Sequence, residues 1–221
     1  MHEARINQAS AALLAGDHAA AAQTLEQAVA SRPGDANALF LLAQCRFFLG
    51  DAEGCLEMGR ALASRAPNNP WGEMAIGAAL LLAEKRAEAE PHLAAARRLA
   101  GHNAAVHIRL GAITLHLSEP ADAARHYAEA LALAPRDPDA QAGMGLAFLA
   151  SGDAAGAETR LRASLAERFH APALHNQLGL LFTEQGRWEE AARSLRTAAA
   201  QYGGLARVRA LLERVEGAKR G

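Results

Sequence analysis

An all-α solenoid, a row of helix pairs stacked side by side, is the fold that this 221-residue sequence predicts. Three observations carry the prediction. The chain holds 57 Ala and only 5% aromatics, and Ala joins the best helix propensity to the smallest packing side chain. A 34-residue period runs through it without insertion or deletion. No run reads as a strand, and strands favour Val, Ile, Thr and aromatics.

The period is visible in several columns at once. Gly-Asp pairs stand at Gly16-Asp17, Gly50-Asp51 and Gly152-Asp153, with Gly186-Arg187 one step further. Pro33, Pro67 and Pro135 keep the same beat, as do Gly77, Gly111, Gly145 and Gly179. So do two series of mostly small residues, Ala21, Cys55, Ala89, Ala123, Ala157, Ala191 and Ala28, Leu62, Ala96, Ala130, Ser164, Ala198. The blocks are 2–35, 36–69, 70–103, 104–137, 138–171 and 172–205. Units of this length cannot bury their apolar faces alone, and stacking buries them.

Each block reads as two helices. The first ends near the Gly at position 15, which tolerates the left-handed conformation that closes a helix. Asp at position 16 caps the second helix by accepting its free N–H groups. Pro at position 32 stops that helix. Small residues at positions 8, 20 and 27 let the axes approach.

Taken in order, the first block is the weakest, with Arg5, Gln8 and Ala9 at positions suited to larger apolar residues or Gly; that fits an exposed end. The second carries Cys45 and Cys55, one per helix, read as packing residues. The third has Glu84 where Gly is expected and Gly101 in place of Pro. The fourth turns through Ser118-Glu119-Pro120, and Pro suits a first helical turn. The fifth ends in Phe169-His170. The sixth opens its second helix with Trp188-Glu189-Glu190-Ala191. The tail, 206–221, reads as a capping helix. Its Arg207, Arg209, Arg214, Lys219 and Arg220 outweigh Glu213 and Glu216, and a polar outer face is what a terminal cap needs.

Composition also excludes functions. A net charge of −1 argues against nucleic acid as partner, since such binders carry a basic surplus. The run Ala75–Ala83 is too short to span a bilayer. The start, Met-His-Glu-Ala-Arg, does not read as a secretory signal. Two cysteines make no disulfide framework. The expected location is the cytoplasm. Nine His are many, and His92 and His126 share position 23, while His102 and His107 flank one loop. Yet no His-x-x-x-His or Cys-x-x-Cys occurs, so no metal is expected. No phosphate loop or Gly-x-Ser-x-Gly occurs either. We expect no cofactor and no catalytic residues.

With Leu110-Gly111, Leu178-Gly179, the Gly-Asp turns and Trp188-Glu189-Glu190-Ala191 in place, residues 2–205 resemble six tandem tetratricopeptide repeats. The resemblance implies a right-handed superhelical solenoid whose first helices line a concave groove at positions near 2, 5, 9, 12 and 13. Those positions hold Phe40, Gln44, Phe47, Phe48, Trp71, Met74, Leu81, Leu82, Ile108, Leu115, His116, Leu146, Leu149 and Asn176. This face is mostly apolar, and its aromatics cluster in the second and third repeats, as interface anchors do. It implies a scaffold or adaptor that binds an apolar or amphipathic segment of another protein. The carboxylate clamp known in this family is absent, because Ile6, Ser10, Phe40 and Gln44 stand where its Lys and Asn would be. Two further readings stay open. One is an accessory region docking onto a bacterial enzyme, a sulfotransferase or an alkaline-phosphatase-like phosphodiesterase. The other is self-association into a homo-oligomer.

Overall fold

Thirteen helices follow one another in the computed structural model, which describes residues 1–14, 16–168, 171–201 and 206–218, the side chains of Leu14, Gln201, Ala206 and Arg207 excepted. Phe169, His170, Lys219 and Arg220 lie outside the described residues. The first helices of the pairs are α1 (His2–Leu14), α3 (Ala36–Phe48), α5 (Pro70–Leu82), α7 (Ala104–His116), α9 (Pro138–Ser151) and α11 (Pro172–Glu184). The second helices are α2 (His18–Ser31), α4 (Ala52–Arg65), α6 (Arg86–Ala100), α8 (Pro120–Leu133), α10 (Ala154–Glu167) and α12 (Trp188–Gln201). The last, α13 (Ala206–Ala218), packs against α12. Both series of starts recur every 34 residues. Among the described residues there is no strand. The fold is an all-α solenoid.

The turn chemistry explains the regularity. Gly16, Gly50, Gly152 and Gly186 all take φ between 70° and 83°. At Gly50 the chain reverses through Gly50 N–H to Phe47 C=O (3.0 Å) and Asp51 N–H to Arg46 C=O (2.9 Å). The Asp that follows then caps the next helix. Asp17, Asp51 and Asp153 accept from the backbone N–H of Ala20, Gly54 and Gly156 at 2.9–3.0 Å. Glu84 and Ser118 hold the same place in the third and fourth repeats. They adopt φ of 61° and 62°, the left-handed conformation that disfavours a Cβ. The turn geometry therefore survives the loss of glycine.

Within a pair, a side chain on the second helix fits a glycine on the first. A Cβ on Gly77, Gly111, Gly145 or Gly179 would meet Leu93, Tyr127, Leu161 or Leu195 at 2.5–2.9 Å. The chain forms two compact units, Met1–Val106 and His107–Gly221. In the first unit, Ala21, Leu25, Leu42 and Cys45 form one cluster, and Ile76, Leu80 and Ala89 another. In the second unit, Tyr127, Met144 and Ala147 form one cluster. Leu161, Phe182, Leu195, Val208 and Val215 belong to the other, so α13 closes that core.

Candidate functional site

The groove aromatics of the first unit are set by α3 and α5. Phe40, Gln44 and Phe48 recur every four residues, so α3 presents them on one face. Asn69 caps α5 by accepting from the Trp71 N–H at 3.0 Å, and Pro70 supplies the pre-set φ of a first helical residue. Trp71 is thereby held at the helix start, with its ring 4.6 Å from that of Phe40 at 41°. Phe48 lies between two rings. His18 stacks on it at 4.7 Å, and Phe47 meets it edge-on at 5.3 Å. Phe40, Gln44, Phe48 and Trp71 are all half-buried. Gln44 Oε1 and His18 Nδ1 are buried and have no hydrogen-bond partner.

Two expected anchors are corrected. Phe47 is 2% exposed and Met74 is 3% exposed, so both belong to the interior. Phe47 continues the buried row Leu39, Ala43 along α3 rather than the half-buried row of Phe40 and Gln44. Met74 sits on a helix that is buried on nearly every side from Gly72 to Leu80. The reason is close approach: a Cβ on Gly72 would lie 2.6 Å from the Ala63 backbone nitrogen of α4.

The remaining groove positions divide. Leu81 packs against the Ile76–Leu80 cluster, and Leu82 is half-buried. Ile108 and Leu115 pack on the Tyr127 cluster, and Leu149 on the Leu161–Phe182 cluster. Leu146 and Asn176 are half-buried, and His116 is exposed. The aromatic face is thus a property of the first unit.

In the second unit, α10, α11 and α12 enclose a cleft that sequence reasoning missed. Arg162, Leu165, Phe182, Glu190 and Arg193 contribute to it. Beside it the Arg187 guanidinium lies 4.3 Å over the Phe182 ring. Arg187 donates to Glu158 at 2.5 Å and to Glu190 at 2.6 Å. Those bonds hold both carboxyls below their ordinary range. The pair Glu189-Glu190 reads as a solvated face in sequence; Arg187, one turn away, is a local partner of Glu190, and Arg162 reaches it from 28 positions away.

Cys45 and Cys55 are free and buried. Burial raises their thiols to about 11 and about 12. Cys55 Sγ–H donates to the Ala75 carbonyl at 3.5 Å. Both are packing residues with little thiolate at neutral pH.

Fold and surface together define a tandem helix-pair repeat scaffold. Two family profiles, each described as tetratricopeptide repeat, match residues 12–74 and 142–206, together more than half of the chain. No curated protein matches. Among solved structures, a thermophilic TPR protein of Thermus thermophilus is 22% identical at a TM-score of 0.58, covering 100% of both chains. The pilF protein of Pseudomonas aeruginosa is 18% identical at 0.56, covering 98% of this chain and 96% of its own. Human IFIT1, solved as a dimer with m7Gppp-AAAA, is 14% identical at 0.65, covering 90% of this chain and 50% of its own. The chain belongs to the tetratricopeptide repeat proteins, and its class is that of protein–protein interaction scaffolds. Among the described residues no helix is long and apolar enough to cross a membrane.

Proposed function

We propose that the protein is an adaptor that docks an apolar or amphipathic segment of another protein on the α3–α5 face of its first unit. The observation that carries this reading is the half-buried row of Phe40, Gln44 and Phe48 along one face of α3, with the Trp71 ring 4.6 Å from that of Phe40. A partner that brings apolar side chains to Phe40, Phe48 and Trp71 buries the ring surface that α3 and α5 leave uncovered. Aromatic residues on a half-buried face are the usual anchors of such contacts.

The test is an affinity pull-down comparing wild type with a Phe48→Ala, Trp71→Ala variant, with mass spectrometry of the eluates. A partner retained by wild type and lost by the variant supports the reading. Each single replacement should then weaken binding by about 1–3 kcal/mol with helicity unchanged. Identical eluates from both proteins overturn it. Light scattering across concentrations reads self-association through the same residues.

A further inference from the structure

We propose that His107, His126 and Glu129 form a binding site for a divalent transition metal ion of the zinc class. One ligand atom from each lies within 4.8 Å of the other two. Nδ1 of His107 is 2.7 Å from a Glu129 carboxylate oxygen, and Nδ1 of His126 is 3.9 Å from the same oxygen. His126 and Glu129 stand one turn apart on α8, which puts them on one face. His107 comes from α7, the other helix of the pair.

Three features distinguish this cluster from an ordinary ion pair. First, the His107 side chain is 11% exposed and that of His126 is 12% exposed, whereas Glu129 is 54% exposed. Two imidazoles are therefore nearly enclosed, and the carboxylate forms the open side by which an ion enters. Second, the 2.7 Å approach of His107 Nδ1 to Glu129 is not a hydrogen bond, and that buried nitrogen has no hydrogen-bond partner. The His92–Glu73 pair of the first unit has the same 2.7 Å separation and does form the bond. Third, the donor set is two imidazoles and one carboxylate, which suits zinc, cobalt or nickel and is a poor cage for calcium or magnesium. Three protein ligands leave a fourth position for water. An ion here ties α7 to α8, so binding stabilises that pair by mass action.

No contiguous motif announces this site. His107 lies 19 residues before His126, and the pair meets only because α8 folds back on α7.

The experiment titrates the full-length chain with Zn²⁺ by calorimetry and with Co²⁺ by absorption. Four proteins are compared: wild type, Glu129→Gln, His126→Gln and His92→Gln. The expected result is one site in wild type, with cobalt d–d bands of a four-coordinate nitrogen–oxygen site and a thermal midpoint that rises with Zn²⁺. Glu129→Gln and His126→Gln should weaken Zn²⁺ binding by at least about 10–100-fold and abolish the bands. His92→Gln, a histidine outside the cluster, should bind like wild type. Glu129 is exposed, so its variant tests the site without disturbing a core. Equal titrations in all four proteins mean adventitious surface histidines only. Absence of cobalt bands in wild type means that the cluster is an acid–base pair only. Either result overturns the proposal.

Discussion

The two units use the same repeat position to opposite effect. Position 24 lies on the second helix of each pair, and in four of the six repeats it is Leu: Leu25, Leu93, Leu161 and Leu195. In the second repeat it is Gly59, and in the fourth it is Tyr127. Where the side chain vanishes, the neighbouring helix moves in. A Cβ on Gly59 would stand 2.9 Å from the Ile76 backbone nitrogen, and Gly72 opposes Ala63 as closely. The first unit thus joins α4 to α5 backbone against backbone. Where the side chain grows, glycines open around it. Tyr127 is 3% exposed, and its ring occupies the space that a Cβ on Gly111 of α7 or Gly143 of α9 would take. One period therefore accommodates both a missing and an oversized knob: the missing one lets the α4 and α5 backbones close up, and the oversized one is met by Gly111 and Gly143.

Removing the large knob has the largest expected effect. Tyr127→Ala should cost about 3–5 kcal/mol, as for other fully buried aromatics. Gly143→Ala should cost about 1–3 kcal/mol, because its Cβ runs into the Tyr127 ring. The sharper measurement is the double-mutant cycle, read by denaturant unfolding. In a Tyr127→Leu background the Gly143→Ala cost should fall, giving a coupling of about 0.5–3 kcal/mol. Additive costs would mean that the ring and the glycine do not share the space.

Next in size is the backbone contact of the first unit. Gly72→Ala gains about 1 kcal/mol of helix propensity. Against this, its Cβ meets the Ala63 backbone at 2.6 Å and 2.8 Å, and a backbone cannot yield by changing rotamer. The expected net loss is about 1–3 kcal/mol, measured as a lower denaturation midpoint. A net gain would show that α4 and α5 are not in close contact.

Much of this fold is legible in the sequence, and the reason is local. Gly16, Gly50, Asp17, Asp51 and Asp153 act within one turn, so their roles can be read from spacing alone. Glu84 and Ser118 show that position in the repeat outweighs residue identity. Of the expected groove positions, Phe40, Gln44 and Phe48 share a half-buried face of α3 and Trp71 meets Phe40, but Phe47 and Met74 turn inward. Which of two adjacent residues faces out depends on a helix's rotation against its neighbours, which spacing within one helix does not fix. The Arg187–Glu158–Glu190 network and the His107–Glu129 approach join residues 3 to 29 positions apart. Only the Arg187–Glu190 pair, one helical turn, is local; the Glu158 and Glu129 contacts have no contiguous signature.

The smallest expected effect concerns the ends of first helices, where the two units share a cap and differ in its partner. Asp35 and Asp137 hold the same repeat position, and each accepts a backbone N–H of the following helix, from Ala38 and Ala140 at 2.9 Å. Asp35 also meets His2 Nε2 at 2.7 Å, which ties α1 to the start of α3. The Ala38 N–H first, and His2 after it, hold the Asp35 carboxyl below its ordinary value of 3.8. A carboxyl lowered by folding contributes stability that is fully present above its unfolded value and is lost as pH falls through the lowered one. Asp35→Ala should cost about 1 kcal/mol near neutral pH, the usual worth of a cap. The gap between wild type and Asp35→Ala in thermal midpoint should narrow as pH falls below 3.8, leaving the part a neutral carboxyl still contributes as an acceptor. A gap that stays constant down to about pH 2.5 would mean that Asp35 acts through cap geometry alone and that its charge contributes nothing to tying α1 down.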